Sequence, residues 1–365
     1  MNLTVGLKYC IVILGCFFVL YFVLSQYKSP LKSLNITPDL QVTIEDLYRN
    51  IQQLTYRVDY LINVNHQLLE ARISSNDSNH DVSNIRLPTA YSLLSHLLGD
   101  RNSLQPNLIY SSGRSGTSMV LGIPHVRRDK ENYLIPTLKN LTGNMNSTEM
   151  ADTLIIVFIA ETDKKYVKRV AKEIELQFPV ELKSGLLEVI SPNPSYYPDI
   201  SKVRDTLGDS HNRVMWRSKQ NLDFAFLMSY AQAKGRFYLQ LEDDIVSKKN
   251  YIGTMKSFAL QKTNMKQDWY ILDFCELGFI GKLFKTSDLP WLVQFFTIFY
   301  NDQPVDWLIS YFLTVKVCSF DMDGKKCQEA KEKVWLSYSS SLFQHVGLHS
   351  SLSGKLQKLK AKKFL

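Results

Sequence analysis

Residues 153–160 read Thr-Leu-Ile-Ile-Val-Phe-Ile-Ala and end at Glu161-Thr162-Asp163. A nearly unbroken apolar run of that length, rich in β-branched residues and stopped by polar ones, predicts a strand buried on both faces. Outward from it the pattern alternates. Residues 166–178 have helical periodicity, 185–191 (GLLEVIS) form a second apolar run, 216–233 a second helix, and 237–241 (FYLQL) a third strand. Strand, helix, strand, helix, strand predicts an α/β fold with a mostly parallel sheet flanked by helices. A further helix is expected at 90–98. The segment Ser111–Ser118 (SSGRSGTS) lacks the Gly-Lys-Ser/Thr ending of a phosphate loop and reads as a plain loop.

Three acids follow the third strand: Glu242, Asp243 and Asp244. Carboxylates crowded at the end of a buried strand repel one another unless a cation or solvent offsets them. In open α/β sheets this end is where ligands bind. A hard cation held by one or two carboxylates and completed by diphosphate oxygens fits magnesium or manganese. The competing reading is a solvated acidic loop. Arg217 and Lys219 open the preceding helix, where an anion site or mere surface charge is expected.

The 365-residue chain has room for an anchor, a stem and one sizeable domain, and its 45% hydrophobic residues suffice for a core without disulfide stapling. The formal charge of +8 is mild and partly sits in the tail, in Lys358, Lys360, Lys362 and Lys363. Without a zinc-ligand spacing or an RNA-binding aromatic motif, no nucleic-acid partner is expected. Residues 9–27 approach the length that spans a bilayer, a cleaved signal peptide being the alternative. The expected layout is a cytosolic tail 1–8, an anchor 9–27, a stem 28–84, a globular domain 85–358 and a basic tail 359–365. Acceptor patterns for N-glycosylation at Asn35, Asn76, Asn140 and Asn146 all follow the anchor and favour a single-pass type II protein with a lumenal C-terminal side. In that setting Lys362-Lys363-Phe364-Leu365 lies out of reach of the cytosolic retrieval machinery, and Cys318 and Cys327 could close a short disulfide loop. Cys275 is left as a buried thiol or an intermolecular link.

Within the stem, Ile44, Leu47, Ile51, Leu54, Val58, Leu61, Asn65 and Leu68 alternate spacings of three and four. β-branched residues at a with leucine at d predict a parallel two-stranded coiled coil over 40–72, hence a membrane-bound homodimer. An amphipathic helix on its own domain is the alternative.

Eight blocks carry a family resemblance: 121–124 (LGIP), 195–199 (SYYPD), 216–223 (WRSKQNLD), 238–246 (YLQLEDDIV), 277–282 (LGFIGK), 304–308 (PVDWL), 315–318 (VKVC) and 343–355 (FQHVGLHSSLSGK). Together they span roughly 85–358 and resemble the N-acetylglucosaminyltransferase IV family, which adds GlcNAc in β1,4 linkage to the α1,3-mannose arm of N-glycans. The resemblance implies a GT-A-like domain, a Golgi or early secretory location, and UDP-GlcNAc with Mn or Mg as donor and cofactor. It makes Asp244 the direct metal ligand and Asp243 a supporting one. Arg217, Lys219, His345 and His349 become donor-site candidates, although structural roles suit the histidines equally. Asp273 and Glu276 are candidate general bases by position. Two departures stand out. Asp273 replaces a family Glu and Cys275-Glu276 a family Ser-Gln, and the sequence stops ten residues after Lys355, short of the family's lectin-like domain. A short branch of the family has this form. That likeness implies a non-catalytic regulator that associates with and inhibits N-acetylglucosaminyltransferase I, an active transferase being the alternative.

Overall fold

A computed structural model describes residues 90–100, 102–128, 130–352 and 356–364. The anchor at 9–27, the coiled coil at 40–72, Asn35 and Asn76 lie outside the described residues. Among the described residues, no helix is long and apolar enough to cross a membrane.

The elements run in this order: α1 (Ala90–Leu93), β1 (Leu108–Tyr110), β2 (Thr117–His125), α2 (Leu134–Gly143), α3 (Ser147–Ala151), β3 (Thr153–Ile159) and α4 (Lys164–Gln177). Next come α5 (Pro179–Ser184), β4 (Leu187–Ser191), α6 (His211–Ala231), β5 (Gly235–Gln240), β6 (Ile245–Ser247) and α7 (Tyr251–Asn264). The chain closes with β7 (Ile271–Asp273), β8 (Lys282–Lys285), α8 (Leu289–Ile298), α9 (Val305–Val317), α10 (Gly324–Val334), β9 (Trp335–Ser337) and β10 (Phe343–His345). Local chemistry sets the boundaries. Asp163 caps α4 by accepting from the amides of Lys165 and Tyr166, and Asn146 and Glu149 form a reciprocal capping box on α3. Pro179 opens α5, and Gly185 ends it at φ 80°. The expected helix at 90–98 is one α-helical turn followed by a 3-10 turn, Ser95–Gly99.

Eight strands form one mixed sheet in the order β1-β4-β3-β2-β5-β8-β7-β9. The pairs β2–β3, β2–β5, β3–β4 and β7–β9 are parallel, while β1–β4, β5–β8 and β7–β8 are antiparallel. β3 is buried at all seven positions. Its side chains alternate between two cores: Ile155, Val157 and Ile159 join one, Leu154, Ile156 and Phe158 the other. α2, α4 and α7 cover the first face, and α6, α8 and α9 the second. The fold is therefore a mixed α/β sheet between two helical layers.

The central strand is β2, which the sequence analysis left unassigned between a loop and the Leu121–Pro124 block. Gly122 and Pro124 break its β-propensity. Tertiary context explains the glycine: a Cβ there would lie 2.2 Å from the Tyr238 Oη on β5. From β2 the chain winds to β3 and β4 on one side, then returns through α6 to β5 on the other. The carboxyl ends of β2 and β5 therefore part at a topological switch point, where open α/β sheets bind ligands.

Candidate active site

Both segments leaving that switch point carry charge. Three residues past β2, Arg128 grips Asp243 through Nη1–Oδ2 at 2.6 Å and Nη2–Oδ1 at 2.5 Å. His125, the last residue of β2, adds Nδ1 to Asp243 Oδ2 at 2.5 Å and turns Nε2 to the Tyr166 hydroxyl at 2.9 Å. Burial alone would raise the Asp243 pKa, but His125 and Arg128 outweigh it and hold the carboxyl down at about 2. Asp243 is thus an anchored anion, and its oxygens are turned to its own protein rather than to a ligand.

Its two neighbours face the other way. Glu242 is pushed up to about 8 by burial and then by the charges of Asp244, Asp306 and Asp243. Asp244 shares Oδ2 with Arg128 and with His345 Nε2, each at 3.2 Å, while its buried Oδ1 has no hydrogen-bond partner. A second, two-stranded sheet brings His345 across a hundred residues of sequence. β6 pairs with β10 so that His345 stands opposite Ile245, and the Val346 amide donates to the Asp244 carbonyl at 2.9 Å. One ligand atom each from Glu242, Asp244 and His345 lie within 4.8 Å of one another. A Cβ on Gly347 would come to 2.2 Å from Asp244 Oδ2, so a bare backbone is needed there. Two carboxylates, one of them with an orphaned buried oxygen, and an imidazole fit a divalent cation of the magnesium or manganese kind.

A cavity of about 140 Å³ opens on this group, lined also by Arg128, Trp216 and Asp306. A larger one, about 560 Å³, adjoins it and is walled by Leu277 and by Leu356–Leu359. Glu242, Gly278, Asp306 and Gln357 border both.

The remaining predicted residues lie elsewhere. Asp273 accepts from Lys282 Nζ at 2.8 Å and Trp335 Nε1 at 3.1 Å, and Glu276 accepts from the Lys362 amide; neither lines the two cavities. The buried Arg217 guanidinium braces loops, contacting the Thr206 carbonyl at 3.2 Å and Asp209 at 3.3 Å. Lys219 spans the Ala160 carbonyl at 2.7 Å and Asp223 at 2.8 Å. His349 gives its amide to the Tyr133 hydroxyl and lines neither cavity. Asn140 accepts the Ser247 amide at 2.7 Å and Asn146 the Glu149 amide at 2.9 Å, both through Oδ1, so the amide nitrogen that carries an N-glycan is not used in either contact. Cys318 and Cys327 are joined in a disulfide, and Cys275 is free and buried.

Sequence reasoning missed Arg128, His125 and Asp306. His125 ends, and Arg128 closely follows, a strand that was not assigned. Asp306 belongs to the Pro304–Leu308 block, and its place in the first turn of α9, at the border of both cavities, has no local signal.

A mixed α/β sheet with a cation-competent acidic group at its switch point suits a glycosyltransferase-like protein, and the family match gives it that class. The family model described as "MGAT4 conserved region" matches residues 85–364, and the chain belongs to that family, the N-acetylglucosaminyltransferase IV family. It is 52% identical over 280 residues to alpha-1,3-mannosyl-glycoprotein 4-beta-N-acetylglucosaminyltransferase B of Homo sapiens, covering 77% of this chain and 51% of that protein. To enzyme A of Mus musculus it is 50% identical over 281 residues, covering 77% and 52%. The chain thus spans about half the length of the curated relatives it matches. A solved structure, S. aureus TarS 1-349 in complex with UDP-GlcNAc, matches at 12% identity and a TM-score of 0.33 over 60% of this chain and 71% of that one. Likeness at that level carries no further argument.

Proposed function

We propose that this chain is a Golgi and early-secretory membrane protein of the N-glycosylation pathway, single-pass and type II, that regulates N-acetylglucosaminyltransferase I by associating with it. In this reading the lumenal domain is GT-A-like, follows an anchor at 9–27 and a coiled-coil stem at 40–72, and acts through its surface. The observation behind it is the state of the two acids nominated as bases. Asp273 is tied to Lys282 and Trp335, and Glu276 to the Lys362 amide. A general base must stand within hydrogen-bond reach of the proton it removes, and neither borders the cavities beside the cation-competent group.

A second reading, an active β1,4-N-acetylglucosaminyltransferase using UDP-GlcNAc, is favoured by Asp306, which borders both cavities. There Glu242, Asp244 and His345 would hold the cation, which when bound supplies Lewis-acid stabilisation of a diphosphate leaving group. Asp306 would then face the acceptor side. The full-length chain is assayed with UDP-GlcNAc, manganese and a biantennary N-glycan, alone and with added N-acetylglucosaminyltransferase I. Inhibition of the added enzyme by both wild type and Asp244→Ala, without turnover of its own, is the expected result. Turnover that Asp244→Ala abolishes would replace the first reading by the second.

A further inference from the structure

The small sheet that brings Asp244 and His345 together has an open edge. β6 bonds to β10 through alternate residues: the Asp244 carbonyl accepts the Val346 amide at 2.9 Å, and the Lys248 amide donates to the Leu342 carbonyl at 2.9 Å. Ile245 and Ser247 therefore turn their backbone groups the other way, where no strand pairs with β6 among the described residues. Backbone groups on such an edge need partners of some kind. Here a helix supplies them. The Thr137 hydroxyl of α2 donates to the Ile245 carbonyl at 3.0 Å and accepts the Ile245 amide at 3.2 Å. Asn140 Oδ1 accepts the Ser247 amide at 2.7 Å, and Asn144 Nδ2, at the end of the helix, donates to the Ser247 carbonyl at 2.9 Å. All four edge groups are thus held by side chains on one helix face, and α2 stands in for a third strand.

The same face reaches one turn further back, to the buried Tyr133 at the start of α2. Its hydroxyl accepts the amides of Leu348 at 3.1 Å and His349 at 3.3 Å and donates to Glu131 at 2.6 Å. Those amides belong to the turn after Gly347, whose backbone lies against Asp244. The Tyr133 ring also lies 5.5 Å from the Arg128 guanidinium, which grips Asp243 and Asp244. Thr137 thus fixes the residue after Asp244, directly opposite His345 in the register, and Tyr133 fixes the turn that follows His345. Both grips are on backbone. They set the distance between two ligands that sit on different strands of a two-stranded sheet, a unit with little stability of its own. Groups beyond the ligands that fix their direction govern metal affinity as well. Thr142 makes the contrast within the same helix: it is buried, but its hydroxyl donates to the Leu138 carbonyl at 2.9 Å and stays inside α2.

We propose that Thr137 and Tyr133 are positioning residues of the cation-competent group, an inference that rests on Glu242, Asp244 and His345 being its ligands. The test is the affinity of the full-length chain, in detergent, for manganese alone, read from the free-ion signal in electron paramagnetic resonance. Thr137→Val keeps the side chain's shape and removes both bonds to Ile245. Tyr133→Phe keeps the ring and removes the hydroxyl. Each is expected to weaken manganese binding about tenfold. Thr137→Ser loses a buried methyl but keeps the hydroxyl, and is expected to bind manganese as the wild type does, even though it is less stable. Thr142→Val removes a buried hydroxyl from the same helix and is also expected to keep wild-type affinity. A role in stability alone would not separate Thr137→Val from Thr137→Ser in this way. Wild-type affinity in Thr137→Val or Tyr133→Phe, or an equal loss in Thr137→Ser or Thr142→Val, would overturn the proposal while leaving the cation group in place. A wild type that binds no manganese would overturn the ligand reading and the proposal together. Circular dichroism establishes that each variant is folded, and if Thr137→Val is not, Tyr133→Phe against Thr142→Val decides the outcome.

Discussion

Arg128 and Asp243 tie the ends of β2 and β5 together through two parallel hydrogen bonds of 2.6 and 2.5 Å. The two strands leave the sheet at its switch point, and this pair keeps them from splaying while leaving Asp244 and Glu242 turned to the cavity. Both side chains are almost wholly buried. Breaking a buried pair leaves an uncompensated charge, at a cost of roughly 3–5 kcal/mol. Arg128→Ala is expected to lower the denaturation midpoint accordingly. Arg128→Lys, which loses the two-pronged geometry, is expected to recover only part of it. Urea unfolding of the three proteins checks this, and wild-type stability in Arg128→Ala would refute it.

The bare backbone at Gly347 gives a test of the cation-competent group that removes no ligand. Gly347→Ala would drive a Cβ to 2.2 Å from Asp244 Oδ2. Manganese with UDP is expected to raise the melting temperature of the wild type, through binding to the native state alone. Gly347→Ala and Asp244→Ala are both expected to abolish that rise, and Asp273→Asn to retain it. A full shift in Gly347→Ala would place the cation elsewhere.

Asp223 predicts an unusual pH dependence. Burial raises its pKa from 3.8 to about 6, with Lys219 and Tyr197 opposing the shift. Its native pKa is above the unfolded one, so between these values the native state binds more protons. Stability attributable to this group is present below about pH 4 and falls as pH rises toward 6. The gap is about two pH units, or on the order of 3 kcal/mol. The stability difference between Asp223→Asn and wild type is expected to shift in favour of the variant over this window, whatever its offset from the lost Lys219 contact. Unfolding at half-unit pH steps measures it, and a difference independent of pH would contradict it.

The disulfide closes a short loop, with a sequence separation of 9 between Cys318 and Cys327. Chain-entropy arithmetic for a loop of about ten residues gives roughly 2.5 kcal/mol. Cys318→Ser with Cys327→Ser is expected to lose about that much. The exposed Phe320 loop is expected to become the first cleavage site in limited proteolysis, and equal protease resistance would show that α9 and α10 hold the loop without the bridge.

The long apolar runs at 153–160 and 237–241 and the helix spanning 216–233 were legible because burial on both faces, or periodicity on one, is written in consecutive residues. The central strand β2 was not, since Gly122 and Pro124 lower its propensity, and only the approach of Tyr238 explains why a glycine belongs there. The same gap hid Arg128 and His125. Asp273 and Glu276 were nominated by position alone. Lys282, Trp335 and the Lys362 amide engage them instead, while Asp306 arrives at the cavities from a helix that begins about sixty residues after the acidic run.

By itself the sequence determined the α/β class, the acidic run at a strand's carboxyl end and, through its blocks, the family, because each is a property of contiguous residues. Tertiary structure alone decided which of the three acids face the cavity. Asp243 is neutralised by Arg128 and His125 from a neighbouring strand, whereas Asp244 meets His345 through the β6–β10 pairing. A carboxylate's role follows from the charges and space around it, and those are supplied here by residues about a hundred positions away in the chain.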